Sequence, residues 1–287
     1  MRCETSLPRC RSVAEVRGAV AQWRQAGLSV ALVPTMGALH AGHLSLVARG
    51  LQLADRVVTS VFVNPTQFGP KEDFAAYPRQ EDGDAALLAG AGAHLLYVPT
   101  VEAMYPLGFA TSITVGGVAE GLCGTFRPGH FSGVATVVTK LLLQTGPDVA
   151  LFGEKDYQQL QVIRRMVADL DIPVRIEGVP IKREADGLAL SSRNAYLSAE
   201  ERATAPRLHA TLTAVVRRLQ DGQAVDAALA WGRDQLLAAG FRAVDYLELR
   251  DASDLVPISR PDRTGRLLVA AHLGRTRLID NVAVPPA

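Results

Sequence analysis

Short apolar runs alternate along the chain with segments whose apolar residues recur at helical spacing. Ser12-Val13-Ala14-Glu15 has the form of a capping box, and Val13, Val16, Val20 and Trp23 follow at helical spacing, with Gly27 suited to end that helix. The run 28–34 predicts a strand, and Leu44, Val47, Leu51 and Ala54 predict a helix after it. Residues 56–63 are dense in β-branched side chains, the mark of a strand buried on both faces, and Asn64-Pro65 is a turn signal. The polar stretch 65–78, with Gln67, Lys71 and Tyr77, predicts a long loop, and a loop of that length is more often functional than idle. A helix over 80–91, strands over 94–98 and 111–115, and a glycine-rich loop over 116–129 come next. A helix over 131–144, a strand over 149–152, a helix over 156–170 and a strand over 174–181 complete this half.

Such alternation predicts an α/β fold: a parallel sheet with helices on both faces, with ligands at the carboxyl ends of the strands. After about Lys182 the pattern changes. Ser198-Ala199-Glu200-Glu201 caps a long helix to 219, a second helix spans 225–239, and short strands follow over 245–250 and 267–284. The expected organisation is an α/β domain over 1–182 and a smaller α+β domain over 183–287.

Composition narrows the class. Of 287 residues, 48% are hydrophobic and 21% charged, and the formal net charge is +1, which gives no general affinity for nucleic acid or acidic membranes. Cys3, Cys10 and Cys123 show neither paired spacing nor a metal motif, as expected of free thiols in a reducing compartment. No apolar run reaches the roughly 18 residues of a membrane span, and the N-terminus has no apolar signal core, so a cytoplasmic protein is expected.

Three stretches carry candidate chemistry, and each follows a strand. The first is Val33-Pro34-Thr35-Met36-Gly37-Ala38-Leu39-His40-Ala41-Gly42-His43. A helix start presents unpaired N–H groups and partial positive charge, so it favours phosphate, and two imidazoles three residues apart can add donors. Spacing alone also fits two histidines on the surface of a helix start, and no further ligand stands near them for a metal. The second is Phe152-Gly153-Glu154-Lys155-Asp156-Tyr157-Gln158-Gln159, where Lys155 suits an α-phosphate and Asp156 either assists or caps the helix. The third is Leu190-Ser191-Ser192-Arg193-Asn194, whose hydroxyls and guanidinium can grip a triphosphate or simply form a polar loop. Arg127 is a fourth cation. Glu81, Asp82 and Asp84 fit either Mg²⁺ held through water or favourable charge in a helix first turn. The phosphate loop Gly-x-x-x-x-Gly-Lys-Ser/Thr, the Gly-x-Gly-x-x-Gly fingerprint and the Gly-x-Ser-x-Gly elbow are all missing.

Taken in order, these stretches resemble the pantoate–β-alanine ligase family nearly end to end. Residues 33–43 are similar to its version of the HIGH motif, and Phe62-Val63-Asn64-Pro65-Thr66-Gln67-Phe68 to its substrate loop. Residues 153–159 are similar to its lysine motif, and Leu190 to Asn194 to its KMSKS counterpart. Tyr246-Leu247-Glu248-Leu249-Arg250 and Arg277-Leu278-Ile279-Asp280-Asn281 add to the match.

The resemblance implies a Rossmann-like nucleotidyltransferase domain with a C-terminal lid, and a homodimer built through the N-terminal domains. It implies ATP and Mg²⁺, and a reaction through pantoyl adenylate. It places ATP on Pro34 to His43, on Gly153, Glu154, Lys155 and Asp156, on Lys182, and on Leu190 to Arg193, with His43 as proton donor beside His40. It places pantoate on Gln67 and Gln159, β-alanine near Gln67, Asn64 and Arg127 at the pantoate and phosphate border, and Asp84 near Mg²⁺. Two positions depart from the family pattern: Thr66 stands where Met is commoner, and Lys182 where an apolar residue is common. The rivals are an adenylyltransferase that makes no amide, and an inactive or tRNA-contacting relative. Gln67 and Gln159 argue against the first, and the intact set of cations with near-neutral charge argues against the second.

Overall fold

The computed structural model describes residues 7–70, 72 and 74–286; Cys3 and Lys71 lie outside them. In chain order the elements are β1 (Arg9–Cys10), α1 (Val13–Gln25), β2 (Val30–Thr35), α2 (Ala41–Leu53), β3 (Arg56–Val61), α3 (Glu81–Gly90), β4 (Leu95–Tyr97), α4 (Val101–Met104) and α5 (Leu122–Phe126). They continue with α6 (His130–Thr145), β5 (Val149–Gly153), α7 (Tyr157–Asp169), β6 (Arg175–Val179), α8 (Ala199–Thr204), α9 (Arg207–Gln220), α10 (Val225–Ala238), β7 (Ala243–Asp251), β8 (Gly265–Leu273) and β9 (Thr276–Val284).

Two compact units form. One takes the chain up to Val115, Arg127–Glu154 and Val162–Pro180; the other takes Gly116–Phe126, Lys155–Gln161 and the chain from Ile181. Two segments upstream of residue 183 thus pack with the C-terminal residues, and the boundary between units falls within α7.

The first unit is a parallel sheet in the order β1-β4-β3-β2-β5-β6. The central strands β2 and β5 are largely apolar on both faces because both are covered. Ala31, Val33, Val57, Leu96, Val149 and Leu151 pack with Leu46 and Val47 of α2 and with Ala85 and Leu88 of α3. Alternate residues Val30, Leu32 and Val58 are fully buried on the opposite pleat, and α6 packs on β2 and on α1. The chain reverses direction across the sheet between β2 and β5, the kind of switch point where ligands bind in such folds.

The second unit carries the antiparallel sheet β7-β8-β9. Leu208, Leu212, Val215 and Leu219 of α9 pack with Leu247, Leu267, Val269 and Leu278 of that sheet. The single long helix expected over 199–219 divides into α8 and α9, because Pro206 at the break has no N–H to continue the ladder. The segment 267–284 is a hairpin, closed between Leu273 and Thr276 with Gly274 in the left-handed region. Residues 111–115, expected as a strand, run outside any ladder among the described residues, and the Ile113 N–H donates to Thr136 Oγ1. The expected loop 116–129 contains α5. Among the described residues no helix is long and apolar enough to cross a membrane.

Candidate active site

β2 delivers the chain into a tight turn before α2. Thr35 Oγ1 donates to the Ser60 carbonyl at 2.8 Å and accepts the Gly37 N–H at 3.2 Å. Gly37 has φ +82°, and a Cβ there would stand 2.9 Å from Asp84 Oδ2, so the position requires glycine. Ala38 has φ +51°, unusual for a residue with a side chain. Asp84 holds it there: its carboxylate accepts the Ala38 N–H at 3.0 Å and the Leu39 N–H at 2.8 Å. Asp84 is only 3% exposed, and burial pushes its carboxyl above the ordinary value while the Leu39 and Ala38 N–H groups pull it down. Its carboxylate therefore shapes the turn. Each of its two oxygens is engaged by a backbone N–H of that turn. Glu81 and Asp82 instead meet Arg9 at 2.9 and 2.8 Å.

His40 and His43 cap α2. His40 Nδ1 accepts the Gly42 N–H at 3.1 Å, and His43 Nδ1 accepts the His40 N–H at 3.3 Å. A ring nitrogen that accepts carries no proton, so the neutral form of each ring has its proton on Nε2. The two rings lie 4.2 Å apart between centroids. The helix start thus combines backbone partial charge with two imidazole donors of fixed tautomer.

Gln67 is buried beside this turn, and its Nε2 donates to Met36 Sδ. It sits on a 3₁₀ turn, Pro65–Gln67, that Asn64 caps. Asn64 Oδ1 accepts from the Thr66 N–H, the Thr66 hydroxyl and the Tyr105 hydroxyl, the last at 2.8 Å. Asn64 Nδ2 donates to Gln67 Oε1 at 3.1 Å and to the Gly133 carbonyl at 3.2 Å. Burial raises the Tyr105 hydroxyl above its ordinary value, against its hydrogen bonds to Thr66 and Asn64. Gly133 lets α6 close on the turn, since a Cβ there would lie 2.3 Å from the Thr66 carbonyl oxygen.

The Gln67 carbonyl accepts from His130 Nδ1 at 2.9 Å, and this fixes the His130 tautomer so that Nε2 accepts from Arg127 Nη1 at 3.0 Å. Arg127 also pairs with Glu72 at 2.8 and 2.5 Å. The guanidinium expected at the pantoate and phosphate border is thus paired with a carboxylate and also donates to the Gln67 carbonyl.

In the second unit, Lys155 lies in a 3₁₀ turn ahead of α7, with Nζ 3.6 Å from Asp156 Oδ2. Asp156 belongs to that turn, and Tyr157 begins the helix. Gln159 is half-buried in the first turn of α7. Its neighbour Gln158 is buried: Oε1 accepts the Cys123 N–H at 2.9 Å, and Nε2 donates to the carbonyls of Val118, Glu120 and Gly121. Ser191 caps the 3₁₀ turn Ser192–Tyr196 by accepting the Arg193 N–H at 3.3 Å. The Lys182 carbonyl accepts the Leu190 N–H at 3.0 Å while its side chain is exposed. Lys182 thus meets this loop through backbone.

The first unit therefore assembles Met36, His40, His43, Asn64, Gln67 and Arg127, with Gly153 ending β5 and Glu154 following it. The second assembles Lys155, Asp156 and Gln159 in one stretch, and Lys182 with Leu190 to Arg193 in another. His130, Glu72, Tyr105, Gly133 and Gln158 were not singled out from sequence. Gly133, in the middle of an apolar helical pattern, was a readable signal; the others reach their partners only through tertiary contact.

The description pantoate–β-alanine ligase belongs to the family model that matches residues 9–283. A pantothenate synthetase of Paramagnetospirillum magneticum is 64% identical over 282 residues, covering 98% of this chain and 99% of that one. The crystal structure of pantothenate synthetase from Thermus thermophilus superposes with a TM-score of 0.92 at 49% identity, over 98% of this chain and all of that one (100%). A pantoate–β-alanine ligase from Francisella tularensis, complexed with β,γ ATP and β-alanine, has a TM-score of 0.80 at 32% identity, over 96% and 97% of the two chains. With the family model and a near full-length relative in agreement, the chain belongs to the pantoate–β-alanine ligase family.

Proposed function

We propose that this ligase joins pantoate to β-alanine in two steps driven by ATP. In the first, the pantoate carboxylate attacks the α-phosphorus of ATP, forming pantoyl adenylate and releasing pyrophosphate. In the second, the β-alanine amine attacks the acyl carbon, forming the amide of pantothenate and releasing AMP. A free carboxylate is a poor acyl donor, and adenylation gives it a good leaving group. The protein supplies position and charge rather than covalent chemistry.

The observation that carries this reading is the pair of imidazoles at the start of α2. With each Nδ1 on a backbone N–H, each neutral ring is a donor through Nε2 at the positive end of the helix. There His43, with His40 beside it, meets phosphate charge as it develops, and Pro34 to Gly42 contribute backbone to ATP. Gly153, Glu154, Lys155 and Asp156, the Lys182 backbone, and Leu190 to Arg193 contribute further to ATP, with Lys155 on the α-phosphate. Gln67 and Gln159 hold pantoate, and Gln67 also serves β-alanine. Asn64 and Arg127 act through the placement of Gln67. Mg²⁺ enters with the ATP phosphates; no trio of His, Cys, Asp or Glu among the described residues is arranged to hold a metal, and Asp84 is committed to the turn.

Two wider features belong to the same reading. The enzyme works as a homodimer through its first unit, supported by the exposed Leu107, Phe109 and Leu143 and by the unladdered segment 111–115. It works in the cytoplasm, supported by the buried free thiols Cys10 and Cys123. The testing experiment is isotope exchange between pyrophosphate and ATP without β-alanine. Exchange that depends on pantoate is expected; exchange that ignores pantoate contradicts the first step.

A further inference from the structure

Asp280 and Asn281 are adjacent on β9, and each is 2% exposed. Two consecutive buried polar residues break the alternation of a strand, and such groups are retained only when partnered. Asp280 accepts two hydrogen bonds from Arg183, at 2.6 and 2.9 Å, and the Asn281 N–H at 2.7 Å. Arg183 also donates to the Gly187 carbonyl and forms a bridge with Ala189, so Asp280 fastens the bend that leads into Leu190 to Arg193. Asn281 turns the other way. Its Nδ2 donates to the backbone carbonyl of Lys155 at 2.9 Å, and its Oδ1 accepts from Arg266 Nε at 2.6 Å. The Arg266 guanidinium in turn lies 4.2 Å over the ring of Tyr157, whose hydroxyl donates to the Ala252 carbonyl at 2.8 Å.

We infer that Asn281 is a positioning residue for adenylation: it holds the backbone of Lys155 and, through Asp280, ties that turn to the bend before Ser191–Arg193. The inference rests on the reading of Lys155 as the cation on the α-phosphate. Lys155 follows β5 in sequence, yet all the contacts just described belong to the unit of the C-terminal sheet. The charge on Nζ is useful only if the main chain that projects it is fixed, and a small misplacement of such a group slows reaction steeply. β9 therefore sets the origin of two stretches that lie about 90 and 125 residues upstream of it, which is why Asp-Asn stands where a strand would otherwise place an apolar side chain.

Asn281→Asp tests this. The carboxylate keeps the acceptor for Arg266 but sets an oxygen against the Lys155 carbonyl in place of a donor. Pantoate-dependent pyrophosphate exchange is expected to fall about tenfold or more, with the KM for ATP and for pantoate changed by no more than about twofold. A role exercised through Lys155 also predicts non-additivity: Lys155→Ala/Asn281→Asp exchanges no more slowly than Lys155→Ala alone. Should Asn281→Asp fail to fold, judged by its thermal midpoint, Asn281→Ser takes its place in the same cycle. Normal exchange in a folded Asn281 variant, or losses that multiply in the double variant, overturns the inference while leaving the role of Lys155 intact. Normal exchange in Lys155→Ala overturns both.

Discussion

The Asp84 carboxylate accepts the Leu39 N–H at 2.8 Å, linking the first turn of α3 to the left-handed turn that precedes α2. Its second oxygen takes the Ala38 N–H, so one buried side chain holds the backbone on which His40 and His43 are mounted. Asp84→Asn replaces one acceptor with a donor facing an N–H. A loss of about 1–3 kcal/mol in unfolding free energy is expected, with a lower adenylation rate. Titration of activity with Mg²⁺ separates this from metal binding: the half-saturating Mg²⁺ concentration stays unchanged. A marked rise in it would return Asp84 to the metal.

Gly133→Ala tests how the substrate turn is seated. A Cβ placed 2.3 Å from the Thr66 carbonyl forces α6 and the 65–67 turn apart. Overpacking of this kind costs about 1–3 kcal/mol, and displacement of Gln67 should raise the KM for pantoate more than that for ATP. Steady-state kinetics with each substrate varied in turn checks it; an equal rise in both constants counts against the proposed role of Gln67.

His43→Gln keeps a polar side chain but loses the imidazole donor at the helix start. Loss of one preorganised donor to developing charge costs about a hundredfold or more in rate. Single-turnover formation of pantoyl adenylate should slow by about that factor, with ATP affinity little changed. A variant that binds ATP weakly yet reacts at the normal rate once saturated assigns His43 to ground-state binding instead.

His209 gives the second unit a pH response. Burial first, and then the neighbouring Arg183, hold its imidazole below its ordinary value of 6.5, while Asp280 pulls the other way. A depressed folded value means the unfolded chain binds the proton more readily. The contribution to stability is present above 6.5 and is lost as pH falls through the lowered folded value. Thermal midpoints measured from neutral pH downward should fall more steeply for the natural chain than for His209→Asn. Parallel curves contradict this origin for the acid response.

Much of the site was legible because its residues lie in strand–turn–helix units. The apolar run before Pro34, the glycines at 37 and 42, and the histidines at 40 and 43 specify a turn and a helix start without tertiary information. Lys155 was legible in the same way. The role of Asp84 was not: three acidic residues in a helix first turn look alike in sequence, and only packing buries one of them against 38–39. Arg127 likewise reads as a spare cation until Glu72, 55 residues away, is found beside it. Pro206 was a local signal that outweighed the helical periodicity around it and divided one expected helix into two. The placement of Lys155 in the unit of β9 depends on a contact spanning 126 residues, which no local pattern encodes.

The most direct test of the two-step account follows an oxygen atom. Pantoate labelled with heavy oxygen in its carboxylate is turned over with ATP and β-alanine, and the products are weighed by mass spectrometry. Attack of the carboxylate on the α-phosphorus leaves one labelled oxygen in each AMP. AMP without label, or label carried instead on inorganic phosphate, would contradict the adenylate and with it the roles assigned to His43 and Lys155.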